Sequence, residues 1–192
     1  MSSDAFQRQT PPGDAARGTP DVIRTGRLIL RKPRADDAYL IFSAYAKDQD
    51  VTRYLTWKPH SSVEETLEFV RRALDAWDRE EAFTWIITLR ESAEVIGSID
   101  LRVESNANLG YLLAKPHWNR GYMTEAVRAV VEWALAQDSV NRVWAVCDVE
   151  NLASARVLEK AGLLREGILH NWIVLPNRSI DPRDCYCYAR LK

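Results

Sequence analysis

The stretch LGYLLAKPHWNRGYMTEA, residues 109–126, decides how this chain of 192 residues folds. An apolar strand passes through a short loop containing Gly121 and leads at once into a helix. The first N–H groups of a helix have no partner within it and lie at the positive end of its dipole, which suits a phosphate, and Arg120 adds positive charge. An ordinary loop and helix start would show the same spacing. The segment is neither a P-loop nor a Rossmann fingerprint, because the Gly-Lys-Ser/Thr run and the three-glycine pattern are both missing.

Length and charge restrict the classes of protein to which the chain can belong. With 26 Lys and Arg against 27 Asp and Glu, the net charge is −1, which argues against nucleic acid as a partner. No apolar run approaches the roughly 20 residues needed to cross a bilayer, so no membrane partner is expected. Three cysteines and the lack of a secretory apolar segment predict a cytoplasmic protein. Residues 1–20, rich in Pro, Gly and Ser, are predicted to be a disordered tail, and 21–192 a single domain.

Hydrophobic periodicity on either side of this stretch predicts the remaining elements. Helices are expected in four places: over 36–47, from Ser61 or Ser62 onwards, after Gly121, and over 151–161 with Asn151 as its cap. Seven strands are expected, at about 27–31, 83–89, 95–103, 108–114, 142–148, 164–175 and 184–191. This order predicts an α/β (α+β) fold, in which a mixed seven-stranded sheet has helices on both faces and the strands at 108–114 and 142–148 run parallel.

Three segments resemble motifs of the GNAT N-acetyltransferase superfamily, in particular of the branch that acetylates the N-termini of ribosomal proteins. WNRGYMTEA at 118–126 resembles the acetyl-CoA loop of that branch, and NLASARVLEKAGL at 151–163 resembles a second motif. TGRLILR at 25–31 resembles the opening strand of the family. The resemblance covers residues 22–192 and implies that the two parallel strands splay apart, with the pantetheine arm of acetyl-CoA between them.

The resemblance also implies which residues bind acetyl-CoA. The backbone of residues 111–113 would bond the pantetheine amides, and the N–H groups of residues 120–124 would hold the pyrophosphate. The cofactor-binding residues implied are Tyr111, Leu112, Leu113, Trp118, Asn119, Arg120, Gly121, Tyr122, Met123, Thr124, Asn151, Ser154, Arg156 and Lys160. Met123 replaces the Gly or Ala of many relatives, but its side chain can point away from the loop. No metal is expected, since Cys185 and Cys187 lack a second pair of ligands nearby.

Acetyl transfer requires a proton donor for the departing thiolate and a base for the amine. Many relatives donate the proton from a Tyr at the position that is Leu158 here, which cannot do so. The resemblance implies Ser154 as the acid instead, although a Ser at this point could simply bond the backbone of a helix start. The base is left open, because Asn108 stands where the family often has Glu. The candidates are Asp100, Glu104, His170 and a chain of water molecules.

Several aromatic residues lie where this family receives its acceptor. The candidates for binding the acceptor are Tyr54, Trp57, His60 and Trp172, whereas Trp85 is expected in the core. The function that the resemblance implies is acetyl transfer from acetyl-CoA to a primary amine by direct attack in a ternary complex. The amine could belong to a protein N-terminus or to a small molecule, and the protein could be a monomer or a homodimer. The alternative is a catalytically weak acyl-CoA-binding regulatory module of the same fold.

Overall fold

The computed structural model describes residues 18–103 and 106–192 and shows an eight-stranded sheet. Its strands are β1 (Val22–Arg24), β2 (Leu28–Arg31), β3 (Phe83–Leu89), β4 (Val95–Val103), β5 (Ala107–Leu113), β6 (Arg142–Asp148), β7 (Leu164–Ile173) and β8 (Arg183–Leu191). Their spatial order is β1-β2-β3-β4-β5-β6-β8-β7, and β5 and β6 run parallel in an otherwise antiparallel described sheet. The mixed sheet is as predicted, but the count of seven strands was wrong, because the three residues of β1 are too few to show alternation.

The helices of the described chain are α1 (Asp37–Ile41), α2 (Gln49–Thr52), α3 (Val63–Asp78), α4 (Tyr122–Leu135) and α5 (Leu152–Lys160). The prediction of one regular helix over 36–47 was wrong, because α1 widens into a π-helical turn at 42–46. Tyr45 and Ala46 are both buried in that turn, so the extra residue of the turn places two consecutive side chains in the core. Asp48 then caps α2, since its side chain accepts hydrogen bonds from two amides of the first turn.

Helices cover both faces of the sheet, as predicted. Successive residues of β3 belong to different apolar clusters, because Ile86 packs with α1 and α3 whereas Trp85 packs with α4. Trp85 is fully buried, as expected, and its indole donates to the Pro20 carbonyl at 3.0 Å. The helix predicted after Gly121 is confirmed as α4, and its buried residues include Ala126, Val127, Val130, Val131, Ala134 and Leu135.

The parallel strands β5 and β6 diverge after a short paired segment. In the described chain their register holds at two positions, Ala107 with Val143 and Asn108 with Trp144, while β5 stays paired with β4 along its whole length. The splay implied by the resemblance is therefore confirmed. It leaves an opening beside residues 109–113, which is called the β5–β6 gap below.

Backbone groups of alternate β5 residues point into this gap. The Ala114 amide donates to the Ile96 carbonyl at 2.7 Å, and the Leu112 carbonyl lies against the α-carbon side of Gly97, so the even-numbered residues face β4. Because backbone groups alternate in direction along a strand, those of Tyr111 and Leu113 point toward β6. The backbone of Leu112 is turned away from the place that the resemblance implies for pantetheine.

Candidate active site

The loop between β5 and α4 has the backbone geometry of an anion site. Gly121 precedes α4 with a φ of 78°, a left-handed conformation that glycine adopts without strain. The first N–H groups of α4 therefore emerge directly from the loop, at the positive end of a helix of 14 residues. Trp118 ties the loop back to β5, since its indole donates to the Leu113 carbonyl at 2.7 Å.

Glu125 fixes the start of α4 to the turn between β1 and β2. Its carboxylate accepts hydrogen bonds from the Thr25 hydroxyl at 2.6 Å, the Arg27 amide at 2.8 Å and the Arg27 Nε at 2.7 Å. Arg27 also donates to the Arg120 carbonyl at 3.0 Å and lies 4.6 Å from the centre of the Tyr122 ring. Burial opposes the charge on Glu125, but the hydrogen bonds from Thr25 and Arg27 outweigh it and hold its pKa below the ordinary value.

This arrangement, called the Glu125 clamp below, was missed in the sequence. Its two halves, TGRLILR and WNRGYMTEA, were both singled out as motifs, yet nothing in their spacing shows that they touch. The clamp does more than hold the loop. A carboxylate in the first turn of α4 would oppose a bound anion, and Arg27 supplies the matching positive charge at 2.7 Å.

Ser154 lies at the edge of the β5–β6 gap. Asn151 caps α5, since its Oδ1 accepts the Ser154 amide at 3.2 Å, which confirms the predicted cap. The hydroxyls of Ser154 and Tyr111 are hydrogen-bonded at 2.7 Å, and Tyr111 can also donate to the Ser154 carbonyl at 3.1 Å. Leu158 on α5 is fully buried and has no hydroxyl. The phenol beside Ser154 is that of Tyr111, which reaches it across the gap from β5.

The three side chains considered as bases have different surroundings. Glu104 lies outside the described residues. His170 is on β7, with β6 and β8 between it and the gap, and its Nδ1 lies 2.8 Å from Asp184 Oδ2 at an exposed position. Asp100 is on β4, directly beside β5, and burial raises the pKa of its carboxyl although a hydrogen bond from Thr84 opposes this. Its Oδ1 is shielded from solvent and has no hydrogen-bond partner among the described residues.

Comparison with known proteins identifies the family to which this site belongs. A family model described as acetyltransferase (GNAT) domain matches residues 27–164, a span that includes the anion loop, the Glu125 carboxylate and Ser154. The chain belongs to the GNAT acetyltransferase family. It is 30% identical over 175 residues to the uncharacterized N-acetyltransferase YoaA of Bacillus subtilis (strain 168), with 89% of this chain and 97% of that protein covered.

Solved structures of GNAT acetyltransferases share the fold. The crystal structure of a GNAT-family acetyltransferase from Bacillus anthracis matches with a TM-score of 0.78 and 27% identity, covering 88% of this chain and 98% of that one. RimL, a ribosomal L7/L12 α-N-protein acetyltransferase solved in complex with coenzyme A, matches with a TM-score of 0.79 and 23% identity, covering 88% and 97%. GNAT acetyltransferases take their acetyl group from acetyl-CoA, in agreement with the cofactor predicted from the sequence.

The residues expected to bind acetyl-CoA in this GNAT protein fall into distinct places. Tyr111, Ser154 and the loop before α4 surround the gap and its end, as described above. Met123 packs in the core beneath α4 with 5% of its surface exposed, so its side chain is turned away from the loop. Leu112 packs on the opposite face of the sheet, against the cluster under α1 and α3. Arg156 and Lys160 are exposed on α5.

The expected acceptor residues Tyr54, Trp57 and His60 lie on one loop after α2. The rings of Trp57 and His60 contact each other at an angle of 39° with their centroids 4.9 Å apart, and Trp57 packs partly against the cluster under α1 and α3. The His60 Nδ1 lies 2.8 Å from the Thr66 hydroxyl, and burial lowers the pKa of this imidazole. Asn177, between β7 and β8, donates to the Trp57 carbonyl at 2.7 Å and so fixes the loop to that connection.

Helix α2 and this loop reach the carboxyl ends of both diverging strands. Lys115, just after β5, pairs with Asp50 of α2, and the Tyr54 hydroxyl lies 3.5 Å from the carbonyl of Glu150, just after β6. An open cleft of about 430 Å³ lies here, lined by Gln49, Asp50, Thr52, Arg53, Pro59, Asn177 and Arg178. Trp172, the remaining candidate, lies on the edge strand β7 with half of its surface exposed.

Metal binding and membrane insertion find no support in the part of the chain that the structure describes. Those residues hold no group of three or more His, Cys, Asp or Glu side chains placed to bind a metal ion. Cys147, Cys185 and Cys187 are free thiols. Across residues 18–103 and 106–192, no helix combines the length and the apolar character that a membrane span requires.

Proposed function

We propose that this GNAT protein transfers the acetyl group of acetyl-CoA to a primary amine by direct attack in a ternary complex. The observation that carries the proposal is the β5–β6 gap, which has the Ser154 hydroxyl at its edge and the anion loop at its end. A pantetheine arm in this gap can bond the backbone of Tyr111 and Leu113 as an added strand would. The Leu113 carbonyl already accepts a bond from Trp118, so the Leu113 amide and both backbone groups of Tyr111 are available.

The anion loop is proposed to hold the pyrophosphate on the N–H groups of residues 120–124. The Glu125 clamp supports this role in two ways, since it fixes the first turn of α4 and cancels a negative charge beside the phosphates. Asn151 is fully explained as the cap of α5, and contact with the cofactor would be a second role. Arg156 and Lys160 are proposed to approach acetyl-CoA from the exposed side of α5.

Ser154 is proposed to protonate the departing thiolate. The phenol proton of Tyr111 can be given to the Ser154 carbonyl or to its Oγ, which lies 2.7 Å away. When Tyr111 donates to Oγ, the Ser154 proton can be given either to Cys147 or to the sulfur of the cofactor. A hydroxyl used for capping would instead bond an N–H group of the first helical turn. Here the Asn151 side chain accepts that bond, from the Ser154 amide.

Direct attack is favoured over an acetyl-cysteine intermediate. Cys147 of β6 is close enough to Ser154 to interact with its hydroxyl. Burial nevertheless raises the pKa of the Cys147 thiol to about 12, against the opposing hydrogen bond from Ser154. Because the thiolate is the nucleophilic form, this thiol is unreactive near neutral pH. The amine itself is therefore proposed to attack the thioester.

The acceptor is proposed to enter beside the loop that carries Tyr54, Trp57 and His60, which reaches the carboxyl ends of β5 and β6. The open cleft there could take the end of a peptide or a small polar molecule. RimL is a ribosomal L7/L12 α-N-protein acetyltransferase, so a protein N-terminus is one of the two proposed acceptors. A small primary amine is the other, and Trp172 is proposed to contact whichever is bound.

The test is an acceptor screen with two readouts. Acetyl-CoA is mixed with the full-length protein and with N-terminal peptides, polyamines, aminoglycosides or amino acids, while released coenzyme A and acetylated product are both measured. A ternary complex predicts intersecting initial-rate lines, whereas an acetyl-enzyme would give parallel lines. Tight binding of acetyl-CoA without transfer to any acceptor would instead identify a catalytically weak acyl-CoA-binding module.

Two further expectations concern the state of the protein in the cell. A cytoplasmic location is proposed on the strength of three free thiols, which suit a reducing compartment. A monomer or a homodimer is proposed, since β7 is an edge strand that carries exposed apolar side chains such as Leu164 and Ile168. Light scattering on the purified protein decides between the two states.

A further inference from the structure

Two buried polar atoms, one on the π-helical turn after α1 and one on β4, stand out among the described residues. Asp100 Oδ1 is shielded from solvent and has no hydrogen-bond partner among the described residues, and the buried Tyr45 hydroxyl has no close partner there apart from an interaction with Ser98. Tyr45 comes from the π-helical turn and is 2% exposed, and burial together with the nearby Asp100 raises the pKa of its hydroxyl. Ser98 and Thr84 lie beside them on β4 and β3. These four residues are called the Asp100 pocket.

The pocket is unusual because polar groups buried in proteins are nearly always hydrogen-bonded. An unpaired carboxylate oxygen away from water is costly, and the cost is removed by a proton or by a cation. π-helical turns are also frequent at functional sites. Both observations point to a ligand with N–H donors and a positive charge.

The sheet register provides an opening from the β5–β6 gap to this pocket. Thr84, Asp100 and Gly110 form one row across β3, β4 and β5. The side chains of Thr84 and Asp100 therefore lie on the same face of the sheet, and Gly110 leaves that face uncovered on β5. Gly110 is exposed and lies two residues past Asn108, where β5 and β6 separate. A Cβ at position 110 would lie 3.9 Å from Asp100 Oδ2, so the missing side chain leaves the carboxylate accessible over β5.

We propose that the Asp100 pocket binds the acceptor as a primary ammonium through the opening at Gly110, and that Asp100 takes the proton that frees the amine for attack. This inference rests on the proposed transferase function. Asp100 and Ser154 then act from opposite faces of β5, since the Tyr111 side chain that reaches Ser154 points away from the face of Gly110. The acceptor and the cofactor would meet from the two sides of the gap.

The proton balance of this step is complete. The ammonium gives one proton to the Asp100 carboxylate, and its nitrogen lone pair forms a bond to the acetyl carbon. The C–S bond breaks as the sulfur takes a proton from Ser154, and the nitrogen loses its second proton as the amide forms. That second proton restores the Ser154 hydroxyl through solvent, and Asp100 releases its own to water, so one proton leaves per turnover.

The opening also limits the class of acceptor. It is one side chain wide, because Asn108 and Leu112 flank Gly110 on the same face. A primary amine can reach Asp100 through it, whereas a secondary amine, whose nitrogen carries a second carbon substituent, would meet these two side chains. The preferred acceptors are therefore unhindered primary ammonium groups.

The kinetic test uses Asp100→Asn and Gly110→Ala, with Asp78→Asn as a matched control. Asp78 is a surface carboxylate at the end of α3, and its Oδ1 lies 2.8 Å from Lys32 Nζ. It belongs to neither of the strands that line the gap. Loss of a general base lowers kcat by about 10²–10⁴-fold, and Asp100→Asn is expected in that range with acetyl-CoA affinity unchanged. Gly110→Ala is expected to raise the acceptor KM more than it lowers kcat. Asp78→Asn should leave all three values unchanged.

The pH–rate profile separates a base from a structural carboxylate. The groups that face Asp100 are Tyr45, Thr84 and Arg102, with Arg31 and Asp37 behind Tyr45. The acidic limb of kcat/KM is assigned to Asp100 and should disappear in Asp100→Asn. A variant that retains this limb and a wild-type kcat/KM for the acceptor overturns the inference, while the transferase function would stand.

A second measurement does not depend on turnover. The Asp100 carboxyl of the full-length protein is titrated by carbon NMR with and without ethylammonium chloride. Bound ethylammonium should lower the titration midpoint of Asp100, and tetramethylammonium, which has no N–H and is too wide, should not. If no amine is acetylated but ethylammonium still shifts Asp100, the proposed function fails and the ammonium site holds. An Asp100 midpoint that ignores ethylammonium overturns the site.

Discussion

The hydroxyl of Tyr111 lies 2.7 Å from the Oγ of Ser154 and joins β5 to α5 across the β5–β6 gap. The contact lies beyond the two positions at which β5 and β6 are paired, where the strands splay apart. Leu158, which occupies the family position of the usual phenolic donor, is fully buried in the core. The phenol beside Ser154 is therefore supplied from the opposite wall of the gap.

Ser154→Ala tests the proposed acid. Since a general acid helps only in the transition state, kcat should fall by about 10²–10⁴-fold while the Kd of acetyl-CoA stays the same. Steady-state kinetics and calorimetry provide the two values. The Asn151 cap is untouched by this change, so the melting temperature should shift little. An enzyme with near wild-type kcat would remove Ser154 from the mechanism.

Tyr111→Phe tests whether the phenol acts through Ser154. Its loss should lower kcat less than Ser154→Ala does, because the serine proton remains. In the double variant, the effect of Tyr111→Phe should vanish, since residues that act as one unit are not additive. The measurement is a double-mutant cycle on kcat. Additive effects would show that Tyr111 contributes to packing alone.

Glu125→Gln tests the Glu125 clamp, whose contribution to the unfolding free energy should depend on pH. The pKa of Glu125 is held below its ordinary 4.5, so its carboxylate stabilises the fold at pH values above 4.5 and loses that effect as pH falls through the lowered pKa. The difference in unfolding free energy between wild type and Glu125→Gln should therefore be full near neutral pH and shrink on acidification. Denaturant unfolding at several pH values measures it.

The same variant should weaken acetyl-CoA binding, because Arg27 would lose the carboxylate that orients it against the anion loop. Calorimetry at neutral pH checks this. Glu132→Gln offers a control, since Glu132 is an exposed acid further along the same helix. Equal loss of affinity in both variants would point to general charge and not to the clamp.

N-terminal truncation tests the domain boundary proposed at residue 20. Removing residues 1–17 should leave the melting temperature unchanged. Removing residues 1–20 also deletes the Pro20 carbonyl and leaves the buried Trp85 indole unpaired. An unpaired buried donor costs about 1–3 kcal/mol, which is several degrees of melting temperature in a chain of this size. Equal melting temperatures for the two truncations would show that the Trp85 bond contributes nothing.

The sequence was a good guide to features set by neighbouring residues. The helix after Gly121 and the Asn151 cap follow from local spacing and from backbone chemistry, and both are found. Contacts between segments that are distant in the sequence could not be predicted. Tyr111 and Ser154 are 43 residues apart, and the row that joins Asp100 to Gly110 depends on strand register.

The π-helical turn could not be predicted from the sequence either, since its pattern of apolar residues resembles that of an ordinary helix. Its consequence, a tyrosine hydroxyl buried beside a carboxylate, is visible only in three dimensions. For the same reason the choice among Asp100, Glu104 and His170 could not be made from residue type. Burial and proximity to the gap are what favour Asp100 over His170.

Gly97→Ala tests whether the shape of the gap depends on the close approach of β4 and β5. A Cβ at position 97 would overlap the Leu112 carbonyl oxygen and lie 3.2 Å from the Leu113 Cα, and neither is a flexible side chain that could move aside. The end of β5 that lines the gap must therefore shift. Overpacking of this kind costs about 1–3 kcal/mol, and acetyl-CoA affinity should fall because the Tyr111 and Leu113 backbone is displaced.

Gly167→Ala is the matched control for this prediction. Gly167 is also a strand glycine, but a Cβ there meets nothing within 4 Å, so stability and acetyl-CoA affinity should stay at wild-type values or improve slightly. Thermal melting and calorimetry on both variants give the comparison. If Gly97→Ala melts with the wild type and binds acetyl-CoA equally well, the contact between β4 and Leu112 does not set the geometry of the gap. The splay would then have to arise from β6 alone.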